Sequence, residues 1–269
     1  MAPYDYHSIC DQLLPIMRKV GIFIKNELGK VSNDQIEIKG HNSLVSYVDK
    51  KAEQMLVGSL SKLVPEAGYI TEEETVVQSR KEVVWIIDPL DGTNNFLHGI
   101  PHFAVSVALS VDHQIVVGAV LEVNSNELFY AYKDGGAYLN GLPIKVSSTK
   151  TLSQSLLGTG FPYEVDDVAP LIRTLGHFMR YGRGVRRMGA AALDLAYVAC
   201  GRFDAYYETT LSPWDVAGGA ILILEAGGSI TDFAGGEDYL FGEQLIASNG
   251  LIHKELEKII KKNFRLKTV

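Results

Sequence analysis

Cysteine is nearly absent from this chain: Cys10 and Cys200 are the two among 269 residues, far apart and in no Cys-x-x-Cys pair. That excludes a disulfide framework and predicts two small core or half-buried thiols in a reducing compartment. No apolar run approaches the roughly 20 residues that span a bilayer. No basic segment followed by an apolar stretch opens the chain either, so the expectation is a cytoplasmic protein that engages no membrane. Positive charge is in deficit, 25 Lys and Arg against 32 Asp and Glu, and a formal net charge of −7 argues against general nucleic-acid binding. No internal repeat or low-complexity linker interrupts the sequence. What is present, 46% hydrophobic residues over 269 positions, can fill a substantial core in one large domain or two compact halves.

The most informative segment is Trp85-Ile86-Ile87-Asp88-Pro89-Leu90-Asp91-Gly92-Thr93-Asn94-Asn95-Phe96. The apolar run from Val83 to Ile87 has the composition of a buried strand, and Pro89 cannot donate to a ladder, so pairing is expected to stop near Asp88. Asp91 follows three positions later, Gly92 permits close backbone approach to a ligand, and the amides from Gly92 to Asn95 are placed to face an anion. Two hard oxygen ligands beside free amides suit Mg²⁺ holding a phosphoryl group, because Mg²⁺ takes one or two carboxylates and completes its octahedron with water and phosphate. Alone, the segment fits a second reading equally well, an Asx turn with a capping aspartate.

A second constellation is Ser212-Pro213-Trp214-Asp215, followed by an apolar stretch that ends at Gly227-Gly228. It predicts a helix with Ser212 at the N-cap, Pro213 in the first turn and Gly227 past the end. Asp215 then lies in the positive first turn, where Ser-x-x-Asp also reads as a capping box; capping and metal binding are not exclusive.

The rest of the chain organises around these segments. A long helix is expected from Tyr4 to Leu28, with apolar Ile9, Leu13, Ile16, Met17, Val20 and Ile24 and a kink at Pro15. Asp49 opens an amphipathic helix carrying Val48, Ala52, Met55, Leu56, Leu60 and Leu63, and is there most simply a first-turn carboxylate favoured by the helix dipole. Residues 83–141 are β-rich, with hairpin turns at Asp112-His113 and Asn124-Ser125-Asn126. After about Ile144, helices near 166–180, 190–200, 214–226 and 251–262 alternate with short strands at 203–207, 229–231 and 245–247. The pattern predicts an antiparallel α+β half, 1–144, and an α/β half, 145–269.

WIIDPLDGTNNF with the later PWDVAGGAILILEAGG resembles the inositol monophosphatase family. The intermediate segments Gly118-Ala119-Val120, Glu127 to Ala131 and Gly135 to Gly141 are similar to that family's hairpin region, so the likeness covers roughly residues 40–250. The resemblance implies a layered αβαβα sandwich and a Mg²⁺-dependent, lithium-sensitive phosphatase with two or three ions per site. It places metal ligands on Glu72, Asp88, the Leu90 carbonyl, Asp91 and Asp215. Thr71 departs from the glycine that many relatives carry before the glutamate pair, and Glu73 and Glu74 read as a solvated acidic loop. Asp49, preceded by Ser46 where the family often has threonine, is implied to pair with Thr93 and polarise it toward the attacking water. The chemistry implied is in-line attack of a metal-bound water on a phosphate monoester, with the backbone from Leu90 to Asn94 cradling the phosphate and no phosphoenzyme. Clustered carboxylates without metal repel, so metal is expected to stabilise the fold.

For the alcohol, Gly189, Ala190 and Ala191 occupy the place of the family's polyol contact, where Ala190 lacks a hydroxyl that relatives supply, and Glu208 matches an acidic residue that accepts from inositol hydroxyls. The substrate implied is inositol 1-phosphate; fructose 1,6-bisphosphate, histidinol phosphate and nucleotide 3′-phosphates are the alternatives on the same scaffold. A haloacid-dehalogenase-type phosphatase is disfavoured, because its two aspartates lie two apart near the chain start, whereas Asp88 and Asp91 lie three apart in mid-chain. Arg180, Arg183, Arg186 and Arg187 form a basic run that reads as a solvated loop, an anion-binding site, a homodimer contact or a protein-partner surface. The last of these supports a non-enzymatic alternative, a regulatory protein associated with RNA polymerase.

Overall fold

The computed structural model describes residues 4–40, 43–79, 81–162 and 167–264. Helix α1 (Tyr6–Glu27) buries Ile9, Leu13, Met17, Val20 and Ile24 on one face. Asp5 caps it by accepting from the Ser8 amide at 3.1 Å. Pro15 sits inside the helix on its exposed side; it removes one helical donor, yet the helix continues for three further turns. A short antiparallel hairpin, β1 (Ile36–Gly40) and β2 (Ser43–Ser46), leads into α2 (Tyr47–Leu63), which lies beside α1.

Strands β3 (Gly68–Thr71), β4 (Val83–Asp91), β5 (Ala104–Val111), β6 (Gln114–Glu122), β7 (Glu127–Tyr132), β8 (Gly136–Leu139) and β9 (Leu142–Ile144) form a seven-stranded sheet in sequence order, with the short helix α3 (Thr93–Leu97) between β4 and β5. Only the β3 and β4 pair is parallel; the remainder is antiparallel. Both expected hairpin turns are there: Asp112 and His113 adopt positive φ between β5 and β6, and Asn126 does so before β7.

The remainder supplies β10 (Leu156–Thr159), α4 (Ala169–Tyr181), β11 (Gly184–Arg186), α5 (Ala191–Ala199), β12 (Ala205–Thr209), α6 (Pro213–Glu225), β13 (Ser229–Thr231), β14 (Gln244–Ser248) and α7 (His253–Phe264). Its five strands form a mixed sheet in the order β11-β10-β12-β14-β13. The expected start of α4 at residue 166 lies outside the described residues. The expected α7 begins two residues later than its sequence pattern suggested, after Asn249 Oδ1 has accepted from the Leu251 amide at 3.0 Å and the Ile252 amide at 3.3 Å.

Three apolar clusters show the layering. One joins α1 and α2 to the large sheet, one fills the space around α5 and α6 between the two sheets, and one lies under α4 and α7 on the outer face of the small sheet. The chain therefore adopts the expected αβαβα sandwich. Helix α6 is buried on nearly all sides from Val216 to Ile223, as a middle layer must be. It presses closely on β6: a Cβ at Gly118 would overlap Ile221 and come within 2.9 Å of the Gly218 carbonyl. That close approach sets the height of the first turn of α6 above β4. Cys10 is fully buried in the first cluster and Cys200 is half-buried, both as free thiols.

Candidate metal centre

Strand β4 does not stop at Asp88. Asp88 pairs with Ser106 and Asp91 pairs with Ala104, so three steps along β4 answer two along β5. The ladder is interrupted at Pro89, which has no amide to give, and resumes at Asp91 as a bulge. The correction matters for the chemistry. Residues three apart on a regular strand point to opposite faces, and the extra residue is what turns Asp88 and Asp91 toward one another.

Asp215 completes the group from the first turn of α6. One carboxylate oxygen from each of Asp88, Asp91 and Asp215 lies within 4.8 Å of the others. Glu72 follows β3 directly, its amide bonded to the Ile87 carbonyl at 3.2 Å, and its carboxyl is hydrogen-bonded with Asp88. Each aspartate is oriented by main-chain amides. Asp88 Oδ1 accepts from Leu90 N at 2.9 Å, and Asp215 Oδ2 from Ser212 N at 2.7 Å. Asp91 accepts from Ala191 N at 3.1 Å and Ala192 N at 2.8 Å, at the N-terminus of α5. The capping role and the cluster role expected of Asp215 are thus both realised.

Burial and mutual repulsion dominate the electrostatics. Desolvation first, then the charges of Glu72, Asp91 and Asp215, hold Asp88 well above the usual carboxylate range. Burial pushes Asp91 up to about 7, with its two amide donors opposing the rise, and pushes Asp215 up to about 8. Leu44, Leu90, Gly92, Thr93, Asn94, Thr210, Ser212 and Trp214 join these four acids around a cavity of about 290 Å³, and among the described residues no Lys or Arg lines it. Converging carboxylates that no side-chain cation among the described residues neutralises favour a bound cation, and an all-oxygen donor set is the hard set that Mg²⁺ prefers. The residues therefore fit the expected metal.

Thr93 opens α3 beside the cavity, and Asp49 stands behind it without lining the cavity. Thr93 Oγ1 lies 3.0 Å from Asp49 Oδ1 and 2.9 Å from the Leu90 carbonyl. The other Asp49 oxygen accepts from Ser46 N at 2.9 Å and Ser46 Oγ at 2.7 Å, the capping box of α2. Burial raises Asp49 despite these donors.

Gly189, Ala190 and Ala191 do reach the metal loop. A Cβ at Gly92, where φ is +86°, would come within 3.2 Å of the Gly189 carbonyl and 3.3 Å of the Ala190 Cβ. Asn95 ties the same region down, donating to the Met188 carbonyl at 2.9 Å and the His102 carbonyl at 2.8 Å. Ala190 is buried in the central cluster, so its side chain faces the core rather than the cavity. Glu208 accepts from the Tyr206 hydroxyl, and burial pushes it up to about 7, opposed by Tyr206 and Arg187. It does not line the cavity, but its charge reaches both Asp91 and Asp215.

Several residues of this neighbourhood were not singled out from the sequence. Asp194, buried on α5 with Oδ1 lacking a hydrogen-bond partner, is held well above the normal range by desolvation and then by Glu208 and Asp91. Glu53 is buried one turn after Asp49, and that i, i+4 spacing was a readable signal. Glu73 is half-buried rather than solvated, while Glu74 is exposed. Of the four arginines, Arg180, Arg183 and Arg186 are exposed around α4 and the edge strand β11; Arg187 lies over the Phe161 ring, near Asn94 and Asn95.

Residues 5–265 match the model of the inositol monophosphatase family. An inositol-1-monophosphatase of Mesorhizobium japonicum is 42% identical over 257 residues, 95% of this chain and 97% of the relative. The Nus factor SuhB of Escherichia coli K12 is 38% identical over 252 residues, 93% and 94% of the two chains. Among solved structures, an extragenic suppressor protein suhB from Bartonella henselae superposes with a TM-score of 0.90 at 38% identity, covering 95% of this chain and 99% of the other.

Proposed function

The chain belongs to the inositol monophosphatase family, and from that membership we propose that it is a Mg²⁺-dependent phosphate monoester hydrolase that releases inositol and phosphate from an inositol monophosphate. The observation that carries this reading is the convergence of Asp88, Asp91 and Asp215 oxygens within 4.8 Å in a cavity that also holds Glu72 and Thr93. In this reading residues 1–144 supply Glu72, Asp88 and Asp91, and residues 145–269 supply Asp215.

Glu72, Asp88, the Leu90 carbonyl, Asp91 and Asp215 would hold the ions, two or three in this family's pattern. Bound Mg²⁺ would supply charge neutralisation of the carboxylates, a Lewis acid for the phosphoryl oxygens and a lowered pKa for water. This chain's own groups do the rest. The main chain from Leu90 to Asn94 presents amides to the phosphate where Gly92, with φ +86°, turns the backbone into α3. Thr93 Oγ1, at the cavity edge, would accept the proton that the water loses while its own hydroxyl proton passes to the Asp49 carboxylate 3.0 Å away. Glu208, braced by Tyr206, accepts from a polyol hydroxyl, and the α5 N-terminus at Ala190 and Ala191 frames the same side. No aspartyl nucleophile is required, since the metal-activated water supplies the attacking oxygen.

Phosphate release from inositol 1-phosphate, fructose 1,6-bisphosphate, histidinol phosphate and a nucleotide 3′-phosphate, with and without Mg²⁺, tests the assignment. The inositol ester is expected to be preferred and Mg²⁺ required. Preference for a bisphosphate or a nucleotide overturns the substrate; trapping an aspartyl phosphate overturns the mechanism.

A binding role is favoured by one further observation. Arg183 and Arg186 are exposed at the edge strand β11, beside exposed Met179 and Tyr181, an unpaired sheet edge of mixed basic and apolar character. Such an edge suits a homodimer contact or a regulatory protein partner of the kind the Nus-factor relatives suggest. Replacing Arg183 and Arg186 by Glu should shift the sedimentation mass or abolish capture of RNA polymerase; unchanged behaviour in both removes this role.

A further inference from the structure

Glu53 is a fully buried carboxylate that makes no ion pair among the described residues, and its hydrogen bonds there go to one short loop. Oε1 accepts from Thr71 Oγ1 at 3.0 Å, Thr75 N at 2.7 Å and Thr75 Oγ1 at 2.7 Å. Oε2 accepts from Glu73 N at 2.8 Å. The loop so gripped, residues 71–75, runs from the end of β3 and carries Glu72 between two of the gripped residues, Thr71 and Glu73. Gln78 closes it from the other side, its Oε1 accepting from Thr71 N at 2.8 Å and its Nε2 donating to Thr71 Oγ1 at 3.0 Å. Desolvating a carboxylate is costly, and four donors from five consecutive residues offset that cost only in one loop geometry.

Glu53 also lies one turn beyond Asp49 on α2, so two buried acids on one helix face reach the two sides of the same site: Asp49 holds Thr93, and Glu53 holds the residues flanking Glu72. We propose that Glu53 is the positioning residue for Glu72, and that Thr71 supplies a hydroxyl bond that fixes the loop in its ligand-presenting form. The role rests on the metal-dependent reading above. Glu53 touches neither the cavity nor the cluster; it acts through the backbone on either side of Glu72. Substituting an outer residue of this sort typically weakens metal binding about 10–100-fold.

The test uses the full chain, with Mg²⁺ or Mn²⁺ binding measured by calorimetry and by the metal-induced rise in melting temperature. Three variants are compared with wild type: Glu53→Gln, which puts an NH₂ group against a backbone or hydroxyl donor; Thr71→Val, which removes one hydroxyl at nearly constant shape; and Thr71→Ser, which restores it. Metal affinity is expected to fall about tenfold or more in Glu53→Gln and several-fold in Thr71→Val, with Thr71→Ser close to wild type. The substrate KM at saturating metal should stay within about twofold, because substrate contacts lie elsewhere. A merely structural role would lower the melting temperature equally with and without metal, and that outcome overturns the inference. So does unchanged metal affinity in Thr71→Val, which decides the matter alone if Glu53→Gln does not fold. A wild-type protein that shows no metal-dependent shift overturns the metal reading itself.

Discussion

Thr93 Oγ1 lies 3.0 Å from Asp49 Oδ1, joining the first turn of α3 to the first turn of α2 across 44 residues of sequence. The Leu90 carbonyl, 2.9 Å from the same hydroxyl, offers a competing acceptor, so one proton is poised between a carboxylate and a backbone oxygen at the cavity wall. That geometry suits a relay and holds the hydroxyl oxygen toward the cavity.

Thr93→Val should therefore lower kcat about 100-fold with KM changed little, the usual size of a general-base contribution. Asp49→Asn should act similarly, and the double variant should be no worse than either single one, since the pair works as a unit. Steady-state kinetics at saturating Mg²⁺ decide it; additive losses would mean that the two residues act independently.

Asp88→Asn should abolish turnover yet raise the melting temperature in EDTA. Asp88 is buried, and its pKa is pushed up by desolvation and then by Glu72, Asp91 and Asp215, so the neutral amide removes repulsion that only metal otherwise relieves. The metal-induced rise in melting temperature should disappear with it. A variant less stable than wild type without metal contradicts the repulsion argument.

The metal-free protein should lose stability as pH rises from about 7 to 8.5. Asp91 at about 7, Asp215 at about 8 and Glu208 at about 7 sit above their unfolded values near 4, so the folded chain holds more protons than the unfolded chain in this window. Stability from groups of this sign is complete below the unfolded value and is lost as pH passes the folded one. His102 and His253, lowered by burial, stop contributing slope above about 6.5. Melting curves in EDTA should fall across the window, and Mg²⁺ should flatten or reverse the trend because metal binds the deprotonated carboxylates. A flat EDTA profile sinks this prediction.

Gly160→Ala should raise KM for the inositol ester about tenfold or more with kcat largely kept, a loss near 1.4 kcal/mol in binding. A Cβ at Gly160 would overlap the Glu208 carboxylate and drive it from its place against Tyr206. Glu208→Gln should show the same signature at neutral pH. If inorganic phosphate inhibits the variant and wild type alike while KM is unchanged, Glu208 has no part in holding the alcohol.

The local half of the site was legible in the sequence. Ser212, Pro213 and Asp215 specify a capped helix start through contacts within four residues, as Asp5 and Ser46 do for their helices, and such contacts need no distant partner. Ala190 shows the limit: its position in the chain placed it near the site, but its burial in the central core beside Gly92 is a fact of the tertiary packing.

The sequence by itself determined the main helices, the β-rich middle of the chain and the Asp88, Asp91 and Asp215 motifs with their hard-oxygen chemistry, because periodicity, capping and turn residues act over a few positions. Tertiary structure alone decided which oxygens meet. The bulge at Pro89 that turns Asp91 toward Asp88 exists through pairing with β5, and Asp215 arrives because Gly118 and Gly218 let α6 lie close on the sheet. Glu53 acquires its role only when residues 71–75 fold over it. Side-chain direction at such places depends on register and on neighbours far along the chain, which local sequence does not carry.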